Sequence, residues 1–218
     1  MDISFFVGSK GVFTMNWINM LYQGGWVMVP LGICSVIALA IILERFFALR
    51  MVKNIPNNLS QLLSYPNILK DLDTIRSVSQ RSVSPLGTLV IEIINLRNEP
   101  KDVLVEHINT LGRTQISQLE RGLTVLQVVA VISPLLGLLG TVLGMVDIFN
   151  VITIGGIGNA QMLAQGISKA LITTVVGLII AIPSLVAYHL YLRRVEEIGV
   201  KIQELIMPFL MKIKNTEK

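Results

Sequence analysis

The chain has 218 residues, of which 52% are hydrophobic and 15% are charged, and its formal net charge is +4. This composition is too apolar for an ordinary soluble domain. The small positive charge gives no reason to expect a nucleic-acid partner, because basic residues also serve as topological anchors in membrane proteins.

Three uncharged runs are each long enough to cross a bilayer. They cover Gly11 to Leu43, Gly122 to Val146 and Ala170 to Leu192. About 20 apolar residues cross the hydrocarbon core, so each run predicts a membrane span. A soluble bundle of buried helices is the alternative, but three separate runs of this length are rare outside membranes.

We therefore predict an all-α integral membrane protein with three transmembrane helices, long cytoplasmic helical extensions and a surface in contact with membrane lipid. The predicted segments, in chain order, are an external interfacial segment at 1–22, transmembrane helix 1 at 23–44, a cytoplasmic helical region at 45–121, transmembrane helix 2 at 122–152, a periplasmic link at 153–160, transmembrane helix 3 at 161–192 and a cytoplasmic C-terminal helix at 193–218.

The orientation follows from the basic residues. Ten of the 18 lie in 45–121 and six in 193–218, while the link at 153–160 has none. Because positive loops stay in the cytoplasm, the amino terminus is predicted outside and the carboxyl terminus inside. Glu44 and Arg45, at the inner end of the first span, are expected to be ordinary boundary charges.

The predicted cytoplasmic region has helical signals. Ser84 followed by Pro85 is typical of a helix start, and Pro100 suits the first turn of another helix. Apolar residues after Pro100 have roughly helical spacing and nothing interrupts them before the second span, which predicts one long helix entering the membrane. The tail after Leu192 is expected to extend the third span, with Val195, Ile198, Ile202, Leu205 and Ile206 on one face.

Small residues recur along the second and third spans. They are Gly137, Gly140 and Gly144 in the second span and Gly177 and Ala181 in the third. Such seams let helices approach closely in lipid, so these residues are predicted to pack helix against helix. Three helices alone can hardly use all the seams and also enclose a water path, so we expect an oligomer.

Hydroxyls lie inside the same two spans. Thr141 is in the second, and Thr173 and Thr174 are in the third. A threonine can simply bond to a carbonyl three or four residues earlier. Two helices that offer hydroxyls at similar depth favour instead a shared polar lining of an ion path.

Two opposite charges lie close to these hydroxyls. Asp147 is six residues from Thr141, about 9 Å along a helix, and Lys169 is five residues from Thr174, about 7.5 Å. If the threonines share a depth, so do the charges, and we predict an ion pair between helices because an isolated charge is costly in lipid. The alternative has Lys169 snorkelling to the surface while Asp147 meets water.

The sequence contains no recognisable catalytic, metal-binding or cofactor-binding site. His107 and His189 are 82 residues apart and neither has a second ligand at metal spacing. GGIG at 155–158 lacks the lysine of a phosphate loop, and no nucleophile has a supporting base. We therefore predict that the chain is not an enzyme; a purely structural scaffold stays open.

Three stretches carry a resemblance to a known family. GGWVMVPLGICSVIALAIILERF, SPLLGLLGTVLGMVDIF and GISKALITTVVGLIIAIPSL resemble the spans of the ExbB branch of the MotA/TolQ/ExbB ion-channel family. The resemblance implies a homo-pentameric ring in a bacterial inner membrane, enclosing one or two helices of an ExbD-like partner whose transmembrane aspartate carries the proton. It also implies that Thr141 and Thr174 face the pore.

The resemblance further implies a proton-driven motor that works on a TonB-like protein for outer-membrane nutrient import. A TolQ-like role in envelope maintenance and a sodium-driven relative stay open. Where many family members have glutamate, this chain has Lys169. A lysine cannot serve as an acidic relay, so the partner's aspartate is left as the expected carrier.

Overall fold

A computed structural model describes residues 25–65, 72–155 and 160–216, without the side chains at 52, 151–155, 160–163, 165, 169 and 216. Predictions for 1–24 and for 156–159 of the link fall outside the described residues. After a short 3-10 turn at Gly25–Val27, the helices are α1 Met28–Ala48, α2 Met51–Asn54, α3 Asn57–Ser64, α4 Leu72–Arg81, α5 Pro85–Asn95, α6 Lys101–Glu120, α7 Leu123–Gly155 and α8 Ala160–Thr216.

The described residues contain three helices that are long and apolar enough to cross a membrane. They lie within Gly25–Ala48, Leu123–Asn150 and Gly166–Asn215. At 1.5 Å per residue, the 33 residues of α7 span about 50 Å, more than the hydrocarbon thickness of about 30 Å. The prediction of an all-α chain with three candidate membrane helices is confirmed for the part that the structure describes.

The chain divides into two compact units. The first, called here the membrane unit, comprises Met1–Ile42 and Val125–Ala187, and the second, the bundle unit, comprises Leu43–Thr124 and Tyr188–Lys218. In the membrane unit, α1 buries only the narrow stripe marked by Leu31 and Ala38, seven residues apart. Most of its apolar surface is therefore left for lipid or for other chains.

The bundle unit has its own apolar core. Its α8 segment contributes Val195, Ile198, Ile202 and Ile206, which are buried at helical spacing, while Leu205 is partly buried. The predicted apolar face of the tail is therefore confirmed. Burying each such side chain fully contributes about 1.5–3 kcal/mol. The same core includes residues of α5 and α6, which makes the bundle a packed body rather than a set of separate helices.

The helix starts predicted from proline are confirmed. Ser84 precedes α5, and its side-chain oxygen accepts a hydrogen bond of 3.1 Å from the backbone N–H of Gly87. Such a cap satisfies a donor that the first helical turn leaves without a partner. Pro85 occupies the first helical position, and Pro100 directly precedes α6.

The prediction of one long helix entering the second span is wrong. The helix ends at Glu120 and a new one begins at Leu123. Gly122 between them has φ +86°, a left-handed conformation that breaks the helical hydrogen-bond ladder. The break could not be predicted from the sequence, because helices also tolerate an isolated glycine.

Arg45 is not the ordinary boundary charge that we expected. Its side chain is only 11% exposed and donates from Nη1 to the carbonyl oxygen of Leu119 at 3.1 Å. It also donates from Nη2 to Glu44, 63% exposed, at 3.2 Å. Leu119 lies in the last turn of α6, where carbonyls lack helical partners, so Arg45 caps that helix from a distant part of the chain.

Candidate functional site

Glycines bring α7 and α8 into direct contact. A Cβ built at Gly140 would lie 2.6 Å from Cβ of Thr173, and one at Gly137 would lie 2.9 Å from the carbonyl oxygen of Thr173 and from Cα of Thr174. These distances are too short for any side chain. The absence of a Cβ at these two positions therefore lets the backbones approach, as small-residue seams do in lipid.

The same contact continues in both directions along the helices. A Cβ at Gly144 would lie 2.9 Å from Cβ of Ala170, and one at Gly177 would lie 2.5 Å from the carbonyl oxygen of Ser133. The later residue of α7, Gly144, thus meets the earlier residue of α8, Ala170, and Ser133 meets Gly177, so the two helices are antiparallel. Ala181 is buried at 6% exposure. The structure places each of the predicted packing glycines at this seam.

Thr173 lies inside the seam. It is 1% exposed, and its Oγ1 lies 2.7 Å from the carbonyl oxygen of Ala170 on its own helix and 3.1 Å from that of Gly137 on α7. A hydroxyl has one proton to donate, and the shorter distance favours Ala170. Within one chain, Thr173 therefore occupies a packing position, and its predicted place in an ion path stays a prediction.

The other two threonines are partly exposed. Thr174 donates from Oγ1 to the carbonyl oxygen of Gly137 at 3.2 Å, across the contact between the helices. Thr141 donates to the carbonyl oxygen of Leu138 at 2.7 Å, within its own helix. Both side chains are therefore partly accessible from outside the chain, whereas that of Thr173 is not.

The predicted ion pair is only half described. Asp147 is exposed and makes an interaction within the structure, whereas the side chain of Lys169 lies outside the described residues. The contact between α7 and α8 shows how far along the two helices positions 147 and 169 lie from each other. Ile148 packs at Gly166 and Ala170 packs at Gly144, so the neighbouring positions 147 and 169 lie on adjacent turns of the two helices. The pair itself stays a prediction.

Two buried serines escaped the sequence analysis. Ser133 and Ser184 are 0% and 1% exposed, and each donates at 2.7 Å to the carbonyl four residues earlier, at Val129 and Ile180. Each stands beside a proline, Pro134 or Pro183. That neighbourhood is the signal that could have identified them, because a proline interrupts the hydrogen bonds of a helix. The carbonyls that the prolines free, at residues 130 and 179, are not the ones that these serines contact.

The histidines lie in the bundle unit and have ordinary neighbours. His107 Nε2 lies 3.1 Å from Glu92 Oε1, and the ring of His189 stands edge-on to that of Tyr188. Among residues 25–65, 72–155 and 160–216, no three His, Cys, Asp or Glu side chains are grouped as a metal site requires. The chemistry of the α7–α8 seam is thus that of hydroxyls and carbonyls.

The amino-acid sequence of the chain matches a known protein family. The profile of the MotA/TolQ/ExbB proton channel family matches residues 80–204, more than half of the chain. The chain belongs to this family. The matched range contains all of α7, α8 as far as residue 204 and all three threonines, so the site described above lies within the family's shared region.

Several curated proteins are similar to this member of the MotA/TolQ/ExbB family. Biopolymer transport protein exbB1 of Vibrio cholerae is 34% identical over 176 residues, which cover 77% of this chain and 75% of that protein. An ExbB-like biopolymer transport protein of Synechocystis is 31% identical and covers 78% and 84%. Tol-Pal system protein TolQ of Haemophilus influenzae is 39% identical over 90 residues, covering 41% and 40%.

These relationships give the chain its general class. It is a multi-pass inner-membrane protein and a membrane subunit of a proton channel family, which is a family of transport proteins and not of enzymes. Membership of the MotA/TolQ/ExbB family therefore confirms the resemblance that the three span sequences carried.

Proposed function

We propose that this chain is the stationary, channel-forming subunit of a proton-driven motor. In this function, several copies form a homo-pentameric ring around the transmembrane helix of an ExbD-like or TolR-like partner. The partner's acidic side chain carries the proton past the hydroxyls of Thr141 and Thr174. The resulting motion does work on a TonB-like protein for import of nutrients, such as siderophores, haem or vitamins, across the outer membrane.

The observation that carries this proposal is the partial exposure of Thr141 and Thr174. Thr141 and Thr174 are partly exposed on α7 and α8, although both helices are otherwise apolar enough to span a membrane. Lipid offers a hydroxyl no partner, whereas an acidic side chain in a water-filled space does. Hydroxyls can both donate to a carboxylate and accept from a carboxylic acid, which suits a proton in transit.

The proposal of a ring is supported by the large apolar surface that the membrane helices of a single chain leave exposed. In the most apolar 18-residue windows of the three spans, 17%, 33% and 33% of the residues are buried. A single chain therefore covers little of its own membrane helices. The exposed apolar surface of these helices can be buried by neighbouring copies or by lipid. A polar lining requires that neighbouring copies, and not lipid, surround the axis of the ring.

We also propose the orientation of the chain. The bundle unit contains the regions 45–121 and 193–218, which carry 16 of the 18 basic residues. The positive-inside rule assigns this unit to the cytoplasm and the amino terminus to the periplasm. A cysteine-free variant, Cys34→Ser, with single cysteines introduced at Ser9 and Asn215 tests this through labelling by a membrane-impermeant maleimide.

A second candidate function has support from one relative. The similarity to Tol-Pal system protein TolQ favours a role in envelope maintenance instead of nutrient import, and a sodium-driven variant is a further alternative. Deleting the gene separates these roles. Loss of growth on iron-siderophore complexes supports import, whereas detergent sensitivity and outer-membrane blebbing support envelope maintenance. A proton ionophore that leaves activity intact in sodium medium supports the sodium-driven alternative.

The proposed ion path is tested by Thr141→Val and Thr174→Val, which keep side-chain shape and remove the hydroxyls. Each should assemble normally and lose at least about 90% of proton uptake by vesicles containing the chain with its partner, since removing a transition-state donor costs tenfold or more. Thr110→Val in α6, where the hydroxyl only donates to Glu106 at 3.0 Å, is the matched control. Full proton uptake by both span variants favours a structural scaffold.

A further inference from the structure

The hydroxyl of Thr174 has an unusual partner. Four other helical threonines, Thr88, Thr110, Thr114 and Thr141, donate to a carbonyl three or four residues earlier on the same chain segment. This back-bonding is the ordinary habit of threonine in a helix. Thr174 instead donates across to Gly137 on α7, at 3.2 Å.

The neighbouring threonine contributes to this difference. The carbonyl four residues before Thr174 belongs to Ala170, and Oγ1 of Thr173 lies 2.7 Å from it. In a helix that carbonyl already accepts the backbone N–H of residue 174, so its second lone pair is taken by the Thr173 hydroxyl. The carbonyl four residues before Thr174 is therefore occupied, and of its two usual acceptors only that of Leu171, three residues before, is left.

Packing keeps the Thr173 hydroxyl in that position. The side chain is 1% exposed and its Oγ1 lies directly against Gly140, where no Cβ intervenes. It can reach the carbonyls of Ala170 and Gly137 but no group outside the chain. Thr173 is thus fixed, whereas Thr174 is partly exposed and its hydroxyl makes a 3.2 Å bond to Gly137.

We propose that Thr173 is a positioning residue that keeps the hydroxyl of Thr174 off its own helix, on the 3.2 Å contact with Gly137 from which it can turn to the ion path. It does so by occupying the Ala170 carbonyl. Without that hydroxyl, Thr174 rotates about χ1, bonds to Ala170 and presents its methyl group where its hydroxyl had been. This inference rests on the proposed function, in which Thr174 meets an acidic side chain on the partner's transmembrane helix.

The test compares variants that differ in shape and in hydroxyl. Thr173→Val keeps the shape and removes the hydroxyl, and Thr173→Ser keeps the hydroxyl and removes the methyl group. Proton uptake by vesicles that contain the chain and its acidic partner is measured from pH 5 to pH 9. The expected loss for Thr173→Val is about tenfold at pH 7, equivalent to about 1.4 kcal/mol, and Thr173→Ser should retain the wild-type rate.

A displaced pH profile separates positioning from simple support of the fold. A hydroxyl that donates to a carboxylate favours its charged form, so withdrawing it raises the pKa of the partner's acid. The midpoint of the profile should therefore move upward by up to about one pH unit in Thr173→Val and not in Thr173→Ser. A purely structural defect lowers the rate at every pH and leaves the midpoint unchanged.

The outcomes are distinguishable. The inference is overturned if Thr173→Val has the wild-type rate and midpoint. It is also overturned if the rate of proton uptake falls without a displaced midpoint, or if Thr173→Ser loses as much of that rate as Thr173→Val. If Thr173→Val fails to assemble, Thr173→Ala and Thr173→Ser, which both lack the methyl group, are compared in the same way. Full activity of Thr174→Val contradicts the proposed function itself, whereas an inactive Thr174→Val beside a wild-type Thr173→Val contradicts only this inference.

Discussion

Arg45 donates a hydrogen bond of 3.1 Å to the carbonyl oxygen of Leu119, 74 residues further along the chain. This bond ties the end of α1 to the end of α6. A Cβ on Gly122 would meet the same guanidinium at 3.5 Å, so the arginine also covers the turn that leads into α7. One side chain thus stabilises the place where the chain enters its second span.

Arg45→Ala should lower the free energy of unfolding by about 2 kcal/mol, because it removes a largely buried charged donor from a partly buried carbonyl. Thermal unfolding in detergent measures the change. Arg193→Ala is the control, since that side chain is 80% exposed and lies 3.4 Å from Glu197 in a surface ion pair. Its effect should stay within about 0.5 kcal/mol, and equal midpoints for both variants contradict the role given to Arg45.

Gly122→Ala should destabilise the chain by about 1–2 kcal/mol, the cost of a left-handed conformation for a residue with a Cβ. The positive φ of +86° is the reason, since the nearest atom leaves room for a methyl group. Gly112→Ala in α6 has open space and an ordinary helical backbone, so it should be neutral or stabilising by up to about 1 kcal/mol. Unfolding in denaturant, followed by circular dichroism, compares the two alanine variants.

Gly140→Ala should separate α7 from α8, because the new methyl group overlaps Thr173. Overpacking of this kind costs about 1–3 kcal/mol. Gly32→Ala in α1 is the matched control, with no atom within 4 Å of the added Cβ. We expect a lower melting temperature in detergent for the first variant and an unchanged or higher one for the second. A tolerated Gly140→Ala contradicts the close seam.

Charge exchange tests the predicted pair of Asp147 and Lys169. Asp147→Lys and Lys169→Asp should each reduce the amount of assembled protein in the membrane by about tenfold, since each places like charges on adjacent turns. The double variant should recover most of the loss. Blue-native electrophoresis of solubilised membranes measures assembly, and a double variant no better than the worse single one rules the pair out.

Much of the candidate site could be predicted because the packing residues of membrane helices recur at simple spacings in the sequence. The glycines at 137, 140 and 144 and the small residues at 177 and 181 repeat at helical spacing, and a span in lipid has few other uses for them. The threonines stood out for a similar reason, since their hydroxyls break an otherwise apolar run. The family resemblance followed from the same two stretches.

The hydrogen-bond partners within the site could not be predicted. Thr173 and Thr174 are neighbours in sequence, yet one is buried in the seam and the other is partly exposed. Adjacent helical residues point about 100° apart, so their roles depend on the rotation of α8 against α7. No local pattern fixes that rotation for a chain with small residues on several faces.

By itself, the sequence determined that this chain is helical, carries three membrane spans and belongs to a proton channel family, because hydropathy, charge distribution and glycine spacing are properties of short segments. Only the tertiary structure decided that the helix breaks at Gly122, that Arg45 caps a distant helix and that Thr174 bonds to Gly137 on the neighbouring helix. The Arg45 cap and the bond from Thr174 depend on atoms from separate segments, and the break at Gly122 depends on how the chain packs around it. The preference of a single stretch decides none of them.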